Sequence, residues 1–214
     1  MMGAPDNGCQ GFKDTIGLHV TYPDTQASFA VSQLLSNKHI TLVTLQIGGN
    51  DLILLQLSCA SAPSFADCVA AGLPSTLQNY ETNLTQILTE LRVQAGYTGE
   101  LVLVEYYVPN NDRLFIQAID ALNQVMMGVG SHFGGTFADA FTSFQVASAL
   151  FQGDPCAAGL LVRLSATCDV HPSIAGRNLL AATVLQAIGD QRPHKSNGAK
   201  ERTAAITLEI PEVR

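Results

Sequence analysis

Charge is scarce in this chain of 214 residues: 14% are Asp, Glu, Lys or Arg, against 47% hydrophobic ones. That balance excludes a disordered polyelectrolyte and points to a packed core. Positive charge is the scarcer sign, with 11 Lys/Arg against 18 Asp/Glu and a formal net charge of −7. Nucleic acid is therefore excluded as the main partner, since its phosphates need a basic face. The deficit sits in residues 1–190, which hold six Lys/Arg against fifteen Asp/Glu; residues 191–214 hold five against three. No apolar run approaches the ~20 residues of a membrane span. Met1 to Asp6 offers neither a basic start nor an apolar stretch, so no signal peptide is expected in this chain. No C-x-x-C pair suggests zinc or a redox motif.

What the chain does have is organised around residues 39–51. From Ile40 to Ile47 the run is apolar and rich in β-branched residues, as expected of a strand buried on both faces of a parallel sheet. It ends in Gly48, Gly49, Asn50 and Asp51. The glycines permit a sharp turn and a close backbone approach. Asn50 then falls at the carboxyl end of a strand, where open α/β sheets bind their ligands. Its amide could donate hydrogen bonds to an oxygen that develops negative charge. A plain strand-to-helix turn is the other reading of the same four residues.

Around this stretch the pattern alternates. Residues 1–24 read as surface coil, with a short strand near Leu18–Tyr22. A helix is expected over Gln26–Asn37, another from Asp51 to Leu57, and a loop over Ala60–Gly72. Leu73–Ala95 carries apolar residues at helical spacing and stops at Gly96. Glu100–Val108 is a second strand, closed by Pro109; a helix spans Asp112 to Val129. Thr136–Phe141 is a short third strand, and Phe144–Thr167 looks irregular, with at most a short helix. Strand, helix, strand, helix, strand describes a parallel sheet between helices, an α/β fold.

The second chemical signal is Asp169, His171 and Pro172. Pro172 suits the first position of a helix, which puts His171 at that helix's start, where the backbone dipoles disfavour its protonated form. This suits a general base. Asp169 can reach the ring nitrogen facing away from a substrate, hold the tautomer and stabilise the imidazolium. The alternative is that both residues only cap the helix. A zinc site from Asp169, His171 and His132 has no supporting ligand spacing, and no cofactor or metal is expected.

Five cysteines are present. Cys59 and Cys68 flank one polar loop, and Cys156 and Cys168 flank an irregular region. Two loop-closing disulfides are expected, which implies a parent protein outside the cytosol; free thiols are the alternative. Cys9 is left over.

Gly48, Asn50 and Asp51, taken with Asp169, His171 and Pro172, resemble two conserved blocks of the SGNH hydrolases, the GDSL esterases and lipases. The resemblance covers residues 8–189. Ser173, Ala175, Gly176 and Arg177, and the cysteine-bounded loop, fit the secreted, disulfide-bearing bacterial members. The resemblance implies a flavodoxin-like parallel sheet between helices and the hydrolysis of carboxylic esters, with lipid or small-molecule esters as substrates. Asn50 and Gly48 would be oxyanion donors, His171 the base and Asp169 its orienting acid.

The family's nucleophile block, Gly-Asp-Ser on the first strand, does not occur here. The only Gly-Asp pairs are Gly153-Asp154 and Gly189-Asp190. The first strand and its serine are therefore expected to be missing, the nucleophile is unassigned, and Cys9 would have lost its partner. Ser58, Ser61, Ser64, Ser131, Ser143 and Ser173 read as turn or cap residues. A non-catalytic relative, acting in binding or assembly, is the second functional reading. Residues 1–190 are expected to form the domain, and 191–214 a polar linker with a strand at Ala204–Ile210. An exposed sheet edge could pair with that strand or with a second copy.

Overall fold

A computed structural model describes residue 22 and residues 24–165 and 167–190. Expectations for Cys9, for the strand before Tyr22 and for Ala204–Ile210 lie outside these residues.

The first helix, α1 (Gln26–Ser36), begins where Thr25 Oγ1 accepts the Ser28 N–H at 3.1 Å. It leads into β1 (Leu42–Leu45), which pairs in parallel with β2 (Glu100–Val104); β2 pairs in parallel with β3 (Thr136–Ala138). The sheet order is β1-β2-β3. Helices flank it, and the fold is mixed α/β as expected.

β1 departs from its reading as a doubly buried strand. Val43 and Leu45 pack into the main core, but Leu42 is 41% exposed and Thr44 is also open. The reason is coverage. On one face, α3 (Phe65–Thr89) and α4 (Arg113–His132) cover Leu101 and Leu103 as well as β1. On the other face the last helix, α6 (Ile174–Asp190), covers Val102, Val104 and Ala138 and stops short of Thr44, the register partner of Val102. Among the described residues nothing pairs with the outer edge of β1.

Three elements differ from the sequence reading. α2 (Gly49–Cys59) starts at the glycine turn itself, and α3 starts at Phe65 rather than Leu73. Ser64 Oγ accepts the Asp67 N–H at 3.3 Å and caps α3, so Pro74 lies inside the helix and Cys68 on its first turns. The helix ends in a π-helical turn (Glu90–Gln94), and Gly96 stops it with φ +61° while the Tyr97 N–H closes back on the Leu91 carbonyl at 3.1 Å. The region after Phe144, expected to be irregular with at most a short helix, holds the end of α5 (Ala140–Ser148) and, beyond that expectation, an antiparallel hairpin of β4 (Leu161–Leu164) and β5 (Thr167–Pro172). Its shifted register between Leu161 and Arg163 hid the alternation that marks a hairpin in sequence.

Two disulfides join Cys59 to Cys68 and Cys156 to Cys168. The first clamps the end of α2 to the start of α3; the second ties β5 to the loop before β4. Among the described residues no helix is long and apolar enough to cross a membrane.

Glu105, just past β2, is buried, and its carboxyl titrates at about 7 because burial penalises the charge and Asp139 and Asp120 add repulsion. A folded-state value raised above the ordinary 4.5 means that the native chain holds a proton the unfolded chain has lost. Stability from this group is present below pH ~4.5 and is lost as the pH rises through about 7. Glu105→Gln should flatten the decline between pH 5 and 8 and raise stability at pH 8 by about 1–2 kcal/mol, allowing for solvent screening. Urea unfolding at a series of pH values measures it; parallel curves for the two proteins would contradict the assignment.

Candidate active site

A cavity of about 210 Å³ opens at the carboxyl ends of β1 and β2. Gly49, Asn50 and Ile53 of α2, Tyr106 and Tyr107 after β2, Phe115 and Ile119 of α4, and Val170 and His171 of β5 are among its walls. Asn50 and His171, far apart in sequence, thus border the same space.

Gly48 sets the first wall. Its backbone is left-handed, with φ +108°, and its carbonyl accepts the Asp51 and Leu52 N–H groups that start α2. A Cβ there would lie 2.7 Å from Tyr80 Cε2. Gly48 is buried and does not line the cavity; Gly49 and Asn50 do. Its left-handed turn places it beneath them. The ring of Tyr106 lies against Gly49, where a Cβ would meet Tyr106 Cε1 at 2.5 Å. Burial raises the Tyr106 hydroxyl above its ordinary pKa, and the Gly49 backbone opposes this. Buried Asn123 holds this tyrosine's backbone at both groups: its Oδ1 accepts the Tyr106 N–H at 2.8 Å and its Nδ2 donates to the carbonyl at 2.9 Å. Among the described residues no group engages the Asn50 side-chain amide.

The facing wall is β5. His171 lies in this strand and not at a helix start, because the antiparallel pairing with β4 runs through Pro172. α6 begins two residues later, and Ser173 caps it by accepting the Gly176 N–H at 3.2 Å. Ser173 Oγ also donates to the Gly159 carbonyl at 2.7 Å. Asp169 Oδ1 lies 2.7 Å from His171 Nδ1 and accepts the His171 backbone N–H at 3.2 Å. A carboxylate can only accept, so Nδ1 carries a proton, and in the neutral ring Nε2 is the nitrogen with the lone pair. These two hydrogen bonds, the side-chain one first, hold the Asp169 carboxyl below the usual carboxylate range. The pair is open to solvent, with side-chain exposures of 76% for His171 and 36% for Asp169.

Two contacts fix β5 over the cavity. The Tyr107 hydroxyl donates to the Val170 carbonyl at 2.7 Å, and its ring stacks on Phe144 at 4.2 Å. Gly176 brings α6 against the loop before β4: a Cβ there would lie 2.1 Å from the Leu160 carbonyl oxygen. That oxygen belongs to backbone and accepts the Ser173 N–H at 2.9 Å, so it cannot swing aside. Gly176→Ala should therefore destabilise the chain by about 1–3 kcal/mol, despite alanine's better helix propensity. Thermal unfolding checks it; an unchanged midpoint would show that the helix and loop are not locked together.

Sequence reasoning missed Tyr106, Tyr107 and Gln46. Their signal was present, since the tyrosines follow β2 at its carboxyl end, the same place that singled out Asn50. His132 stands apart: it ends α4, roughly 25 Å along the helix from Phe115. Among the described residues no cluster of His, Cys, Asp and Glu could hold a metal ion. Five of the six serines named above are engaged elsewhere. Ser58, Ser131 and Ser143 donate to carbonyls one helical turn back, and Ser64 and Ser173 cap helices. No serine is among the described residues of the cavity wall.

No family model and no curated protein matches the sequence. Solved structures do match. Phospholipase A1 of Streptomyces albidoflavus aligns with 76% of this chain and 76% of its own, at 18% identity and a TM-score of 0.51. A catalytic mutant of the acetylxylan esterase Axe2 from Geobacillus stearothermophilus aligns with 74% of this chain and 67% of its own, at 20% identity and a TM-score of 0.50. The fold is that of the SGNH hydrolases. Within the SGNH fold the cavity occupies the carboxyl end of the sheet, bounded by the two segments whose residues suggested the resemblance.

Proposed function

We infer that the cavity is the site of a carboxylic ester hydrolase of the SGNH type. The observation that carries this reading is that His171, hydrogen-bonded to Asp169, borders the same space as Asn50. In this reading an ester carbonyl sits beside Asn50, whose amide donates to the oxygen as it becomes negative. His171 Nε2 takes the proton from the attacking hydroxyl and returns it to the departing alcohol. Asp169 keeps Nδ1 protonated and stabilises the imidazolium in between. The hydroxyl is water or a side chain outside the described residues. The two disulfides support a parent protein that matures in an oxidising compartment.

The test is release of p-nitrophenol from p-nitrophenyl butyrate, with His171→Ala beside the parent chain. Turnover that disappears in the variant supports the reading. A second reading, a non-catalytic relative that binds ligands, is favoured by one observation: no serine, threonine or cysteine lines the described part of the cavity. Equal background rates for the two proteins would select it.

A further inference from the structure

We propose that the cavity receives a straight alkyl chain of about six to eight carbons, polar end at the mouth. This rests on the reading of the cavity as an acyl site and names its substrate class: medium-chain acyl groups, not acetylated sugars or phosphate-bearing headgroups.

The gradient of exposure orients the ligand. Asn50 and His171 are exposed and stand at the opening. Leu52 and Ile119, each 5% exposed, form the floor, with Ile53 and Phe115 on the way in. A carbonyl therefore stays near the polar pair while the chain points inward. Two polar groups of the wall are already used. Gln46 Nε2 donates to the Glu105 carbonyl at 3.0 Å, and the Tyr107 hydroxyl donates to the Val170 carbonyl at 2.7 Å. The wall is otherwise mainly apolar, so a sugar ring would find few partners for its several hydroxyls, and a buried hydroxyl without one is costly. No Asp, Glu, Lys or Arg is among the described wall residues, so a phosphate finds no counter-charge there. A methylene takes about the room of a water molecule, roughly 30 Å³. The cavity of about 210 Å³ then accepts about seven such groups.

The experiment uses primary alkanamides, which mimic the ester carbonyl and are not hydrolysed. Dissociation constants from acetamide to decanamide are read by NMR titration of the whole chain. Each added methylene should tighten binding by about fourfold, and the gain should stop near eight carbons. Ile119→Trp should shorten that limit by two or more carbons. Ile53→Trp, at a more exposed wall position, should do the same if the floor variant does not fold. Affinity that is flat from acetamide onward, or that rises as steeply from octanamide to decanamide as before, would overturn the proposal. The two readings fail separately: tight binding without p-nitrophenol release removes only the hydrolase, and turnover with no chain-length dependence removes only this inference.

Discussion

His171→Ala is expected to lower kcat/KM for ester hydrolysis by about a hundred- to ten-thousand-fold, the usual contribution of a positioned general base. The imidazole is the only basic side chain of the described cavity wall. Most of the loss should appear in kcat. His171 stands at the mouth, 76% exposed, and contributes little to holding an acyl chain. Asp169→Asn should cost a similar factor through a different route. Asn keeps the shape but can donate, so Nδ1 is free to lose its proton and Nε2 to gain it, which is the wrong tautomer for a base. Folding should be untouched, because both side chains are solvent-facing and their bond is local, two residues apart. Steady-state kinetics with far-UV circular dichroism separates these outcomes. Full activity in either variant would remove the general-base assignment.

The largest loss of stability is expected from Arg92→Ala, at about 3 kcal/mol or a midpoint lower by roughly 6–12 °C. Arg92 sits in the π-helical turn at the end of α3. Its Nε donates to the Phe133 carbonyl at 2.9 Å, one terminal nitrogen to Tyr97 and Gly99 at 3.0 and 2.8 Å, and the other to Gly134 at 3.2 Å. The guanidinium carbon also lies 5.4 Å from the centre of the Tyr97 ring. One planar fork thus closes two connections at once, the one entering β2 and the one entering β3. Alanine would leave three half-buried carbonyls and one exposed carbonyl without their donor. Lysine should recover under half of the loss, since one ammonium cannot serve acceptors on both connections. Equilibrium urea unfolding is the measurement. A lysine variant as stable as the parent would show that charge, not the fork, matters there.

Legibility in the sequence followed locality. The helix over Gln26–Ser36 and the one over Arg113–His132 were readable because their caps and apolar spacing are written in adjacent residues. The three parallel strands were found, each shorter than expected. The start of α3 was missed because Ser64, Cys68 and Gly72 each read as loop, yet one cap and one disulfide suffice to begin the helix there. The β4–β5 hairpin was invisible because a register shift breaks its alternation. That error moved His171 from a helix start into a strand.

From the order of residues alone came the alternation of strands and helices, the pairing of the cysteines, and the short-range reach from Asp169 to His171. Each depends on neighbours within a dozen positions. What only the three-dimensional packing decided was that Asn50 and His171 share a cavity, that tyrosines after β2 line it, and that α6 covers β2 and β3 but not β1. These depend on where distant segments meet, and side-chain volume at contacts such as Gly176 against Leu160 settles that, which no local pattern encodes.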